Sequence, residues 1–164
     1  MARYMCKDRI PATGDFVTEN LFWSKNMMGI AGELHARLRF THSNFMTYVP
    51  EGEKGETDVI IENEYGVLFK IQVKFANVTK DPEGVWTLRL SNKNGAYQKV
   101  DYIYVVCNDC SEFLIDVRKI KRTNMIIRDD LGMQSYRKNQ YEPNKYDDYV
   151  FHNVIGDLQK CQSK

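Results

Sequence analysis

The stretch Gly55–Phe75, GETDVIIENEYGVLFKIQVKF, decides how the rest of the chain is read. It carries one acid, Asp58, at the head of a short apolar run. A polar break, Asn63-Glu64-Tyr65-Gly66, leads to a second apolar run that holds Gln72 and Lys74. Two such runs around a break containing glycine spell a β-hairpin, with Gly66 supplying the backbone angles of a tight turn. Side chains alternate along a strand, so Phe69, Ile71, Val73 and Phe75 face one way while Lys70, Gln72 and Lys74 face the other. The first row is a core face. The second sets an amide beside an ammonium, and the turn brings Asp58 next to both. Two readings of the polar row are open: the wet side of an antiparallel sheet, or a cluster holding a metal ion and a water beside a phosphate. Spacing alone favours the wet side.

Upstream, MMGIAGELHARLRF (27–40) spaces Ile30, Leu34 and Leu38 at i, i+4 and i+8, which predicts an amphipathic helix with that row as its apolar face. Glu33 and Arg37 lie on its flank at a spacing that allows an ion pair. NFMTYVP reads as a short strand closed by Pro50. Downstream, VWTLRLS and VDYIYVVC read as strands, the second apolar enough to be central, and EFLIDVRKI pairs back onto it through the turn CNDC. FHNVIGDLQK predicts a last helix, DFVTENLFWSKN a short one in the N-terminal arm, and the stretch after Arg122 is polar and tyrosine-rich. One helix, a run of strands, then mixed elements define an α/β (α+β) sheet with helical cover. The expected organisation is a single domain, with an arm over 1–26, a core over 27–150 and a C-terminal helix or tail over 151–164.

The chain has 164 residues, enough to bury a core without staples. Its 43% hydrophobic and 27% charged residues are those of a globular protein. No apolar run has membrane-spanning length and the N-terminus lacks a signal-peptide core, so a cytoplasmic protein without a membrane partner is expected, associated with a nucleoid or a nucleus. The formal charge of +1 neither excludes nor requires nucleic acid. Of the four cysteines, only Cys107 and Cys110 form a Cys-x-x-Cys pair, short of the two pairs a structural zinc usually needs, so reduced structural thiols are expected. The three histidines lack metal-site spacing, and His35 reads as a helix-surface residue. No glycine-rich phosphate loop is present.

Phosphodiester hydrolysis needs an activated water, neutralisation of the phosphoryl oxygens and help for the leaving oxygen. A hard divalent cation on oxygen ligands meets the first two needs. Asp58 and the Gln72 carbonyl are such ligands, the Val73 main-chain carbonyl is a third, and Lys74 stands where it could orient the water. Candidate phosphate contacts are Arg37, Lys93, Lys99, Arg122, Arg137 and Lys138. Asn139 and Gln140 carry amides that could read base edges.

Taken in order, GIAGELHARLRF, FMTYVPEGEKGETDVIIE and VLFKIQVKF resemble the core of the PD-(D/E)XK nuclease superfamily: a helix bearing Glu, then a hairpin bearing Asp and Glu-x-Lys or Gln-x-Lys. More narrowly they resemble the branch with glutamine in the third position, which includes an intron-encoded homing endonuclease. VDYIYVV and EFLIDVRKI resemble that branch's next strands, and RKNQYEPNKYDDY its closing segment. The resemblance spans about residues 27 to 150. It implies a restriction-endonuclease-like core, a mixed central sheet flanked by helices, and a metal-dependent DNA endonuclease. It implies Asp58 and Gln72 as ligands of Mg2+ (or Mn2+ in its place), Lys74 as the catalytic lysine, and Glu33 acting through a metal-bound water. Thr57 stands where the superfamily pattern has proline, and Gln72 lowers the site's negative charge, which favours one cation over two. The partner implied is double-stranded DNA, and a homodimer or homotetramer follows because one centre cuts one strand. A homing endonuclease is the expected function. A Holliday-junction resolvase, a restriction-type nuclease and, in another class, a non-catalytic DNA-binding module that kept the fold are the alternatives.

Overall fold

A computed structural model describes residues 25–51, 56–90, 97, 99–121, 123–130, 133 and 144–162. Residues 1–24 of the N-terminal arm, with most of its expected helix, lie outside the described residues, and Lys25 and Asn26, assigned to that arm, instead begin the first helix. Helix α1 spans Lys25–His42 and is followed by strands β1 (Met46–Tyr48), β2 (Val59–Glu62), β3 (Leu68–Ala76), β4 (Val85–Arg89), β5 (Tyr102–Cys107), β6 (Glu112–Asp116), β7 (Asn124–Arg128) and β8 (Asn144–Lys145), then helix α2 (Phe151–Gln159). Five strands form one sheet in the order β1-β2-β3-β5-β6, and β4-β7-β8 form a second. The first sheet is mixed: β3 pairs antiparallel with β2 but parallel with β5.

The layers follow from how β5 is buried. Ile103, Val105 and Cys107 pack with Trp86, Leu88, Met125 and Ile127 of the second sheet, whereas Tyr104 and Val106 pack with Ala36 and Phe40 of α1 and Phe151 and Ile155 of α2. A strand covered on both faces has to be apolar throughout, which is why YIYVVC shows no polar alternation. The α+β class, the hairpin and its turn match the sequence reading, with Gly66 at φ 75°. Asn63, buried in that turn, accepts the N–H groups of Tyr65 and Val67 and donates to the carbonyls of Leu158 and Cys161, so it ties the hairpin to the end of α2.

Helix α1 runs two residues past the expected Phe40 and ends in a defined stop. The Phe45 N–H donates to the Phe40 carbonyl, the Asn44 N–H to that of Thr41, and Asn44 takes a φ of 62°. This is a Schellman stop with asparagine in the left-handed position, and the edge-to-face contact of Phe40 with Phe45 completes it. The buried face is not the one expected. Ile30 and Leu34 are 57% and 58% exposed, while Gly32, Ala36 and Phe40 are buried against the sheet. A Cβ on Gly32 would stand 3.5 Å from Val73 Cγ1 and 3.8 Å from Phe75 Cβ, so the helix approaches β3 closely enough that small residues, not bulky ones, line the contact.

Other expectations also change. Glu33 and Arg37 form no ion pair among the described residues, and Arg37 Nε is buried without a partner. His35 is not on the surface: Nδ1 lies 3.1 Å from the Tyr104 hydroxyl and Nε2 lies 3.6 Å from Glu112. TNMIIRDD, read as polar tail, contains β7, which pairs antiparallel with β4 and turns Met125 and Ile127 into the core. CNDC is the β5–β6 turn, but its cysteines differ: Cys107 is a free buried thiol, whereas Cys110, at φ 63°, is disulfide-bonded. Reduced thiols are therefore found at Cys107 and Cys161 and not at Cys110. No helix among the described residues is long and apolar enough to cross a membrane.

Candidate metal and phosphate site on the central strands

Gln72 and Lys74 do not lie on a wet face. In the parallel register Gln72 sits beside Ile103 and Lys74 beside Val105, on the side covered by the second sheet. The Gln72 Oε1 atom is buried and has no hydrogen-bond partner. Lys74 is half-buried, and its Nζ donates to the Tyr97 hydroxyl at 2.7 Å. Lys70, at the start of the row, stays exposed, while Gln72 and Lys74 are partly covered.

Asp58 is fastened to the same strand twice. Its N–H donates to the Ile71 carbonyl at 2.9 Å, and its Oδ2 accepts the Val73 N–H at 2.7 Å. The pairing of Val59 with Ile71 continues to set Asp58 opposite Gln72. Burial raises the pKa of Asp58, against the lowering by the Val73 N–H and by Lys74, and burial lowers that of Lys74, against the raising by Asp58. The two charges feel each other, and no ion pair joins them. Glu33, on α1, joins them electrostatically: burial and then the Asp58 charge raise its pKa.

The structure thus brings together Glu33, Asp58, Gln72, Val73 and Lys74. Val73 enters through its N–H. Arg37 follows Glu33 by one helical turn, and Lys99 is exposed ahead of β5. Lys93, Arg122, Arg137, Lys138, Asn139 and Gln140 lie outside the described residues. Among the described residues no group of three or more His, Cys, Asp or Glu is set to hold a metal, so neither the cysteines nor the histidines make a zinc site there.

Tyr97 is the residue that sequence reasoning missed. It stands far along the chain from Lys74, in no periodic pattern, and nothing local announces it. A second polar cluster was also missed. Arg39 Nε donates to Glu112 at 2.7 Å, and Glu112 also faces His35, which bonds Tyr104. Burial and then the Arg39 charge push the His35 pKa down to about 4, so the imidazole is neutral and its partners satisfy it. A cleft of about 710 Å³ opens at the start of β3 and β5, lined in part by Phe69, Asp101, Tyr102 and Arg118. Two of its charged groups are engaged within the chain, Asp101 with the Lys70 N–H and Arg118 with Asp116.

A helix laid on a mixed sheet is a fold that this chain has in common with solved structures. The solved structure of a bacterial homing endonuclease, I-Ssp6803I, shares it, with a TM-score of 0.60 at 14% identity over 84% of this chain and 92% of that chain. Hjc, a Holliday junction resolvase from the archaeal hyperthermophile Archaeoglobus fulgidus, is a weaker likeness, with a TM-score of 0.45 at 12% identity over 79% of this chain and 96% of that one. No protein-family model and no curated protein sequence matches the chain.

Proposed function

We propose that the protein is a divalent-metal-dependent DNA endonuclease hydrolysing phosphodiester bonds, and within that class a site-specific homing endonuclease acting on double-stranded DNA as a homodimer or homotetramer. The observation that carries this reading is the buried, unpartnered Gln72 Oε1 beside Asp58 and Lys74. A buried acceptor without a partner costs about 1–3 kcal/mol. A hard cation would relieve it, since such ions take oxygen ligands of both carboxylate and amide type. The donor set therefore fits Mg2+, with Mn2+ able to replace it: Asp58 and Gln72 as ligands and the Val73 carbonyl as the third. With a single carboxylate among those ligands, one weakly held ion fits better than two.

When bound, the cation supplies Lewis acidity at a phosphoryl oxygen and lowers the pKa of a water. The chain's own groups do the rest. Asp58 is held in register by Val73, so it meets its ligand without reorganising. Lys74 has three N–H donors, of which one goes to Tyr97 and the others are left for the phosphate and the incoming water. Glu33 stands in the outer shell as an acceptor for water, and Arg37 and Lys99 contact flanking phosphates. The homing reading draws on the Gln-x-Lys resemblance and on the likeness to I-Ssp6803I, a bacterial homing endonuclease. The homo-oligomer follows from the need to cut two strands.

Cleavage of host genomic DNA and of a synthetic four-way junction, with Mg2+ or Mn2+, compares wild type with Asp58→Ala. Discrete metal-dependent ends from genomic DNA, absent in the variant, are the expected result. Junction-only cutting would move the assignment to a resolvase. DNA binding without cutting, unchanged by the substitution, would leave a binding module.

A further inference from the structure

The Lys74 ammonium is held from beyond the hairpin. Its Nζ lies 2.7 Å from the Tyr97 hydroxyl oxygen and 5.0 Å from the centre of that ring. The oxygen itself stands off the ring centre, so these two distances put the nitrogen past the hydroxyl rather than over the ring face. The contact is a hydrogen bond to oxygen, and the face of the ring contributes little. The ring is buried in the cluster that includes Trp86, Leu88, Val100 and Ile103, which makes the hydroxyl a fixed point.

Building on the nuclease reading above, we propose that Tyr97 is a positioning residue: its hydroxyl selects one rotamer of Lys74 and aims the remaining ammonium N–H groups at the phosphodiester. A lysine side chain left alone samples many rotamers, and that freedom must be lost before the ammonium can act. Tyr97 removes it in advance. A neutral acceptor suits this work better than a carboxylate would, because it orients the ammonium without cancelling its charge. Burial raises the Tyr97 pKa to about 12, so the hydroxyl keeps its proton throughout the neutral range.

The test uses the full chain. Tyr97→Phe keeps the ring in its cluster and removes the hydroxyl that accepts from Lys74. Single-turnover cleavage at saturating DNA should slow about tenfold or more, as for a misplaced catalytic group, while DNA affinity stays within about twofold. In a Lys74→Met background the same substitution should change nothing further, because its effect runs through Lys74. Tyr102→Phe, which removes a hydroxyl remote from Lys74, should leave the rate unaltered. NMR relaxation of the Lys74 side chain, without metal or DNA, should show it ordered in wild type, unlike exposed Lys99, and looser in Tyr97→Phe. Unchanged cleavage in Tyr97→Phe, an equal loss in the Lys74→Met background, or a wild-type Lys74 as mobile as Lys99 would overturn the assignment. If wild type cuts no DNA, the nuclease reading falls and takes the catalytic role with it, while the relaxation data still decide whether Tyr97 holds the amine.

Discussion

The carboxylate of Asp58 accepts the main-chain N–H of Val73 at 2.7 Å, so the acid ahead of β2 is fastened to the strand that carries Gln72 and Lys74. The Asp58 N–H, bonded to the Ile71 carbonyl, closes the same link from the other side. The distance from acid to amide is thereby a property of the hairpin and not of the charged loop before it.

Asp58→Asn separates geometry from charge. An asparagine oxygen can still accept the Val73 N–H, and the desolvated negative charge that raises the Asp58 pKa is gone. The melting temperature without metal should match or exceed that of wild type. Metal-dependent cleavage should fall by at least about 10²-fold, the scale of losing one electrostatic group from an active centre. Calorimetry paired with a cleavage time course reads both.

Gln72→Glu adds a carboxylate beside Asp58 and within the field of Glu33. Without metal, like charges should repel, and the melting temperature should drop more at pH 8 than at pH 5. Mg2+ should restore it, and each tenfold gain in affinity adds about 1.4 kcal/mol at saturating ion. Thermal unfolding across a Mg2+ titration checks this, and a melting temperature indifferent to Mg2+ would count against a cation site.

His35 sets an acid limit on stability. Its folded pKa of about 4 lies below the ordinary 6.5, so as the pH falls through that window the unfolded chain takes a proton that the folded one refuses. Stability is therefore lost progressively between pH 6.5 and 4, by at most about 3 kcal/mol from this group. Glu33, Asp58 and Glu112, whose burial raises their pKa values, act in the opposite sense, since the folded state binds their protons first. In His35→Phe, which keeps a ring beside Tyr104, the difference from wild type should shrink as the pH falls. Urea unfolding at a series of pH values measures it.

Gly32 tests how closely α1 must approach β3. A Cβ there meets Val73 and Phe75 at ordinary contact distances, so Gly32→Ala should be tolerated, with a gain of about 0.5–1 kcal/mol in helix propensity. Gly32→Leu has no such room. It should cost about 1–3 kcal/mol and, by lifting the helix, separate Glu33 from Asp58. Equilibrium unfolding gives the sign for each.

What could be read from the sequence was what local periodicity encodes. The hairpin, its glycine turn and the apolar β5 are patterns within a few residues of one another. The grouping of Asp58, Gln72 and Lys74 follows from strand alternation and one turn. The buried face of α1 did not follow, because periodicity selects bulk whereas a helix lying on β3 needs Gly32 and Ala36. Strand β7 was hidden because its partner β4 is remote, and its inward pair, Met125 and Ile127, is short and set in polar surroundings. Tyr97 and Asn63 were silent for a related reason: each works through one contact with a distant element, and a single contact leaves no period.

The paired strands around the candidate site set a timescale as well as a shape. Strand β3 pairs with β2 over Leu68–Ile71 and with β5 over Ile71–Ala76, and β5 is buried on both faces. Backbone amides at Gln72 and Lys74 should therefore exchange with heavy water only when the whole molecule opens, among the slowest in the chain. On the nuclease reading, any rearrangement that admits DNA would have to occur outside these strands. Chemistry would then occur on a surface that is effectively still while its surroundings move past it.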